Sequence, residues 1–186
     1  YLNSGPGGLA GAFIHERHLA SRRPRLGGWW GQNWATRFDM NQPFDPIPDA
    51  YGFRLSNPPV LQVAALRASL SLFDRATMPA LRAKSEQLTE FLCQLLHSSL
   101  LPDSVRPQVA TPSDPKQRGC QLSLVWKDGF IDVDLLTKTL SANGVIVDER
   151  KPNCIRVAPV PLYNTFADVF DLVVALRDCI ALQTKR

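Results

Sequence analysis

At Pro102 the hydrophobic pattern of this chain changes period, and that change constrains its fold more than any other feature. Before it, Leu61, Ala65, Leu66, Leu70 and Phe73 recur at helical spacing, and Leu81, Leu88, Leu92 and Leu95 mark one face of a second helix, from about Pro79 to His97. After it, Cys120–Trp126 alternates as a half-buried strand should, while Ile131, Leu135, Leu136 and Leu140 mark a helix that Asn143-Gly144 terminates through a left-handed residue. Val145–Val147 and Ile155–Val157 read as short strands. The last helix begins at Thr165, with Asp168 three residues on as a capping box, and Phe166, Val169, Val173 and Ile180 supply its buried face. Residues 101–186 therefore read strand–helix–strand–strand–helix, a small α/β domain, and residues 56–100 read as connecting helices.

Residues 1–55 have no such order. They open on Tyr1-Leu2-Asn3-Ser4-Gly5-Pro6-Gly7-Gly8, a turn-rich loop with no initiator Met and no signal-peptide pattern, which reads as cut from a longer chain. Leu9–His15 is expected to be a short, largely buried strand. A basic stretch follows from Arg17 to Arg25, then Gly27-Gly28-Trp29-Trp30-Gly31, and a long connection from Asn41 to Asp49 carries three prolines. This segment cannot complete a sheet alone and is expected to be the C-terminal end of a larger domain.

Composition excludes several classes. A hydrophobic fraction of 45% with 20% charged residues argues for a folded globular chain, and no apolar run is long enough for a transmembrane helix. The net charge of +4 permits anionic ligands without implying nucleic acid. Arg17, Arg22, Arg23 and Arg25, near His15 and His18, have no aromatic platform or recognition-helix pattern beside them and read as solvated surface or an oligomer contact. Cys93, Cys120, Cys154 and Cys179 lie far apart, against a common zinc site or a disulfide framework, and read as buried thiols. His97, at a helix end, reads as structural. No P-loop, H-E-x-x-H, G-x-G-x-x-G or Ser-His-Asp order occurs.

Three places could carry chemistry. Ser56-Asn57-Pro58-Pro59 suits a helix start, where unpaired N–H groups can hold phosphate; Asn57 could cap its own helix or donate its amide to an oxyanion. Trp29 and Trp30 stand between glycines, and an indole N–H is a donor only. It could serve a phosphate, the ring could face another ring, or the pair could anchor a subunit contact. Arg156 sits in the apolar run Cys154-Ile155-Arg156-Val157-Ala158-Pro159 and needs an anion, either a carboxylate of its own chain or that of an amino-acid substrate held bidentately.

Taken in order, Asn3–Gly8, Gly28–Gly31, Ala35–Phe38, Gly52–Pro59, Arg118–Leu122 and Ile155–Asn164 resemble eukaryotic kynureninases. Each motif alone is weak, but their series covers most of the chain. The resemblance implies the C-terminal portion of an α/β, fold-type-I enzyme dependent on pyridoxal 5'-phosphate (PLP): residues 1–55 as the end of the large PLP-binding domain and residues 101–186 as the small domain. It implies hydrolysis of L-kynurenine or 3-hydroxy-L-kynurenine to alanine and anthranilate or 3-hydroxyanthranilate, in tryptophan catabolism and NAD biosynthesis, by a cytoplasmic homodimer that contacts neither nucleic acid nor membrane. The lysine that carries the cofactor is expected just before Tyr1, so no catalytic residue is assigned within the chain. Trp29 and Asn57 would bind the PLP phosphate across a dimer interface, Arg156 would hold the substrate α-carboxylate, and Ser56 would lie near the substrate's aromatic ring. No metal is implied. Two other readings stay open: another fold-type-I PLP enzyme, such as a cysteine desulfurase-like lyase, or a C-terminal fragment acting only in dimerisation.

Overall fold

The computed structural model describes residues 2, 4–19, 24–39, 43–127 and 130–184. Asn3 of the opening motif, Arg22 and Arg23 of the basic stretch, and Asn41 of the long connection lie outside them. The chain forms two compact units, Tyr1–Phe73 and Asp74–Arg186.

The second unit follows the order that the period change predicts, with one further strand, Gln108–Val109, that it does not. Helix α2 (Met78–His97) precedes the strands β1 (Gln108–Val109) and β2 (Leu122–Val125), helix α3 (Val133–Ala142), the hairpin β3 (Asp148–Arg150) and β4 (Cys154–Val157), and helix α4 (Phe166–Thr184). The sheet runs β1-β2-β4-β3, antiparallel at every pairing. Alternation along β2 and β4 turns Leu122, Leu124, Ile155 and Val157 into one core with Leu88, Leu92 and Leu96 of α2, Leu136 and Leu140 of α3, and Leu176 and Ile180 of α4. One sheet face and three amphipathic helices thus cover one another. Each fully buried Leu or Ile contributes about 1.5–3 kcal/mol relative to exposure.

Local chemistry sets the ends. Asp132 caps α3 by accepting from the Leu135 N–H (3.0 Å), and Gly144, at φ +80°, ends that helix in the left-handed conformation that glycine adopts without penalty. The Thr165 capping box is present in both directions: Thr165 N–H and hydroxyl donate to the Asp168 carboxylate, and Asp168 N–H donates to Thr165 Oγ1 (3.2 Å). His97 is held at the end of α2 by Cys93 O (2.8 Å), the structural role expected for it.

Some expectations fail. The strand after α3 is Asp148–Arg150, not Val145–Val147; Val145 and Val147 pack on the core from the connecting segment 143–147, because five residues are used in leaving the helix before pairing with β4 begins. Phe166 is half-exposed, standing edge-on to Phe91 (5.5 Å) at the rim of the core, and Leu95 is only partly buried while Leu96 is fully so. Leu9–His15 forms no strand, and Phe13 is 88% exposed. A strand needs a neighbour for its backbone groups, and among the described residues none pairs with it.

Helix α1 (Val60–Ala76) starts after Pro58-Pro59, and Pro59 O accepts its first helical bond from Val63 N–H (3.0 Å). Its apolar residues are present at helical spacing but incompletely covered: Leu61 is 82% exposed and Ala65 and Leu70 are exposed, Leu66 and Phe73 are half-buried, and Ser69, which donates to Leu2 O, is the buried position. An uncovered apolar helix face is the mark of a surface made to be covered.

Leu140→Ala should cost about 2–5 kcal/mol, read from urea unfolding, because the cavity lies in a fully packed layer. The Thr165 N–H and hydroxyl hold the Asp168 carboxyl below its usual value, so the cap's contribution is present above about pH 3.9 and is lost as pH falls through the lower folded value. The stability difference between wild type and Asp168→Asn should therefore shrink below that pH.

Candidate functional site

Three of the four site residues expected from the sequence, Trp29, Ser56 and Asn57, lie in the first unit. The turn Gly28–Gly31, closed by Gly31 N–H to Gly28 O (2.9 Å), lies against the backbone of residues 52–55. A Cβ on Gly28 would stand 2.3 Å from Leu55 O, and one on Gly31 would stand 2.9 Å from both Arg54 O and Gly52 O. Only glycine allows that approach, and it brings Trp29 and Trp30 to the segment that ends in Asn57. Ile47 N–H to Gly31 O (2.8 Å) and Asn33 N–H to Asp45 O (2.8 Å) tie the far side of the turn to the proline-rich connection.

Trp30 donates its indole N–H to Asn57 Oδ1. This rules out one of the two uses left open for Asn57. Its oxygen is taken, the helix starts three residues later, and the cap reading is set aside; the amide's other end, Nδ2, is the donor that remains. Trp29, 45% exposed, rests against Trp30 (5.5 Å between rings) and Phe38 (5.9 Å), and its indole N–H has no acceptor among the described residues. Ser56 lies beside Asn57, exposed.

Two cations missed by residue patterns complete the group. The Arg37 guanidinium lies 4.7 Å from the Trp30 ring and 5.4 Å from Trp29, and Arg54 lies 4.7 Å from Trp30 on its own account. Among the described residues neither has a carboxylate within ion-pair distance. Both occur in the motifs Ala35–Phe38 and Gly52–Leu55, but a lone Arg beside an aromatic in sequence does not announce stacking on a ring that is distant in the chain. The assembled group offers N–H donors and positive charge, the chemistry that an acceptor-only dianion requires.

Arg156 belongs to the second unit. It stands on β4 opposite Asp148 of β3 and Ser123 of β2, on the face away from Ile155 and Val157, with its side chain 33% exposed. It is therefore less buried than its apolar neighbours suggested, since strand alternation turns it to the open face. Its Nε (2.7 Å) and Nη2 both donate to Asp148 Oδ2. The Arg156 guanidinium holds the Asp148 carboxyl below its ordinary value. An arginine has two donor edges; Asp148 takes the Nε edge, and the terminal edge at Nη1 and Nη2 is left to face an anion. Placing the strand at 148–150 would have exposed this pair in sequence, because a hairpin turning at residues 151–153 sets Asp148 across from Arg156.

Other features do not add chemistry. A groove of about 580 Å³ in the second unit, between Gly144, Pro159, Tyr163 and Leu172, includes Asp168, already engaged in its cap, and Asp171, but no cationic side chain. Of the four cysteines expected to be buried, Cys93, Cys120, Cys154 and Cys179, only Cys179 is, the other three being half-buried; partial burial still pushes all four thiols up, the opposite of an activated nucleophile. Among the described residues no group of three or more His, Cys, Asp or Glu could hold a metal, and no helix is long and apolar enough to cross a membrane.

Residues 81–176 match the family model of the kynureninase C-terminal domain. The chain belongs to the kynureninase family. Among its relatives, a kynureninase of Xanthomonas campestris pv. campestris is 55% identical over 173 residues, 93% of this chain, and one of Monosiga brevicollis is 47% identical over 182 residues, 97% of it. The Xanthomonas match widens to bacteria a resemblance that the motifs suggested with eukaryotic kynureninases. The chain spans 40% and 39% of the length of these two relatives. Its fold is shared with the cystine C-S lyase C-DES in complex with its reaction product cysteine persulfide (TM-score 0.71, 20% identity, 89% of this chain and 41% of that one), and with a C-DES mutant carrying glycine covalently linked to its PLP cofactor (TM-score 0.70, 20% identity, 89% and 40%). At that identity the likeness speaks of fold, which is that of the C-terminal portion of fold-type-I PLP enzymes.

Gly28→Ala should open the Trp30–Asn57 contact, lowering the melting temperature and shifting tryptophan fluorescence to the red. Gly11→Ala, whose added Cβ meets nothing within 4 Å, should do neither.

Proposed function

We propose that this chain is the C-terminal portion of a kynureninase, a PLP-dependent enzyme that hydrolyses L-kynurenine or 3-hydroxy-L-kynurenine to L-alanine and anthranilate or 3-hydroxyanthranilate. Family membership supports the reaction class. The observation that carries the reading is the donor cluster at Trp29 and Asn57, with Arg37 and Arg54 beside it. Its residues fit a phosphate group: Trp29 would donate its indole N–H to one oxygen, Asn57 would donate from Nδ2 to another, and the guanidiniums would favour the doubly charged form.

PLP, when bound, supplies the electron sink for the bond-breaking at the substrate's side chain. The work of this chain is orientation. The terminal edge of Arg156 would hold the substrate α-carboxylate, so that the reacting carbons keep one attitude to the ring; Asp148, holding the other edge, would keep the guanidinium from turning. Ser56, next to the phosphate donor Asn57, would lie near the substrate's aromatic ring and influence preference for the hydroxylated form. The lysine that carries the cofactor would lie in the portion of the relatives that this chain does not cover. Residues 1–55 would be the end of the large cofactor-binding domain, residues 56–100 the connecting helices and residues 101–186 the small domain.

The uncovered apolar residues of the first unit, Phe13, Phe38, Val60 and Leu61 among them, support a homodimer, with Trp29 and Asn57 of one protomer serving the cofactor of its partner. We place the enzyme in the cytoplasm, as part of tryptophan catabolism and NAD biosynthesis. The cysteines of this chain lend no support to the cysteine desulfurase-like reading, since burial raises all four thiols.

Product fluorescence tests the reading directly: full-length enzyme loaded with PLP should form anthranilate or 3-hydroxyanthranilate, and cofactor bound without either product would reject the activity. Arg156→Ala should lower kcat/KM about tenfold to a hundredfold, the worth of a charge-assisted hydrogen bond, while the visible absorbance of bound cofactor is unchanged. Arg156→Lys should recover only part of the loss, having charge but no fork. Unchanged kcat/KM in Arg156→Ala would remove Arg156 from the site. Asp148→Asn should raise KM more than it lowers kcat.

A further inference from the structure

We propose that Trp30 is a positioning residue for the cofactor phosphate: its indole N–H, given to Asn57 Oδ1, fixes the Asn57 amide with Nδ2 turned outward as the donor. The inference rests on the reading of Asn57 as a phosphate ligand and adds the residue that makes Asn57 serve as one.

An asparagine amide has a donor end and an acceptor end of nearly equal size. Presented to a phosphate without guidance, it samples both, and the oxygen end repels the dianion. An indole has only one polar group, and that group only donates. Whatever faces the Trp30 N–H must therefore be Oδ1, so Nδ2 points the other way by the chemistry of the two groups alone. The same bond removes Asn57 from the competing task of capping α1, whose first helical bond is taken by Pro59 O.

Trp30 can act as a fixed reference because it has little freedom. Its ring has the Arg37 and Arg54 guanidiniums each at 4.7 Å, Trp29 lies tilted against it at 5.5 Å, and its carbonyl accepts from Arg37 Nη2 at 3.4 Å. Gly28 and Gly31, pressed on the backbone of residues 52–55, set the position of the ring relative to Asn57. Trp29 and Trp30 thus divide the labour: the indole N–H of Trp29, with no acceptor among the described residues, would serve the phosphate itself, and that of Trp30 is given to Asn57.

The test is a double-mutant cycle on PLP affinity, in full-length enzyme titrated with PLP itself and followed by cofactor absorbance and tryptophan fluorescence. Trp30→Phe keeps an aromatic ring for the two guanidiniums and deletes the N–H. It should weaken PLP binding by about tenfold, the worth of one hydrogen bond. Asn57→Ala should also weaken it, and the double variant should bind no more weakly than Asn57→Ala alone, because Trp30 acts only through Asn57. The 31P resonance of bound PLP should shift in both single variants. If Trp30→Phe binds PLP like wild type, or if its loss adds in full to that of Asn57→Ala, Trp30 is merely structural and the proposal is overturned. If Asn57→Ala leaves PLP affinity unchanged, the phosphate reading of Asn57 fails first and takes this proposal with it. Should Trp30→Phe not fold, 3-benzothienylalanine at position 30, the indole's shape with sulfur for N–H, gives the same cycle.

Discussion

The approach of the Gly28–Gly31 turn to the Arg54–Leu55 backbone, too close for any side chain between them, is the constraint on which the candidate site depends. It delivers two indoles to the segment ahead of α1 and stacks one of them against two arginines. Each further arrangement is a consequence of that approach. With Trp30 fixed, the Asn57 oxygen has a partner; with the oxygen engaged, the amide nitrogen is the only end left; with Asn57 withdrawn from capping, the helix begins at Val60 behind two prolines. A methyl group in place of one hydrogen at either α-carbon would undo all of it, which is why backbone proximity, rather than any single contact, holds the site.

The second unit obeys a different logic. Its stability comes from a packed layer of leucine, isoleucine and valine between one sheet face and three helices, and Arg156 sits on the other face of the same strands. Strand alternation separates the two tasks: Ile155 and Val157 belong to the core, Arg156 between them does not. The hairpin then gives Arg156 its carboxylate. Because Asp148 grips the Nε edge, the guanidinium is both neutralised in part and held in plane, and a second anion can be met without losing the first.

Much of this was legible in the residues. The helices α2, α3 and α4 and the strands β2 and β4 are set by periodicity, and the Thr165–Asp168 box and Gly144 stop by local capping chemistry, since these depend on neighbours within about one helical turn. Trp29, Asn57 and Arg156 could be singled out by residue type and by resemblance. Three things could not. Asn57 could have capped its helix as well as served a ligand, because local sequence permits both and the Trp30 indole lies 27 residues away. Arg37 and Arg54 gave no signal, because stacking on a ring is a matter of where the ring is. Leu9–His15 has a strand's composition but no partner among the described residues, and strand formation is a property of two segments.

The sequence by itself determined which segments are helical, how α3 and α4 are capped, much of the core of the second unit, and which family the motifs resemble, because each of these is encoded by period, by short-range capping or by ordered identity. Tertiary structure alone decided which end of the Asn57 amide faces outward, which anion engages Arg156, and which cations gather beside Trp30. Those choices depend on contacts between residues distant in the chain, and a hydrogen-bonding group declares its role only when its partner is in place.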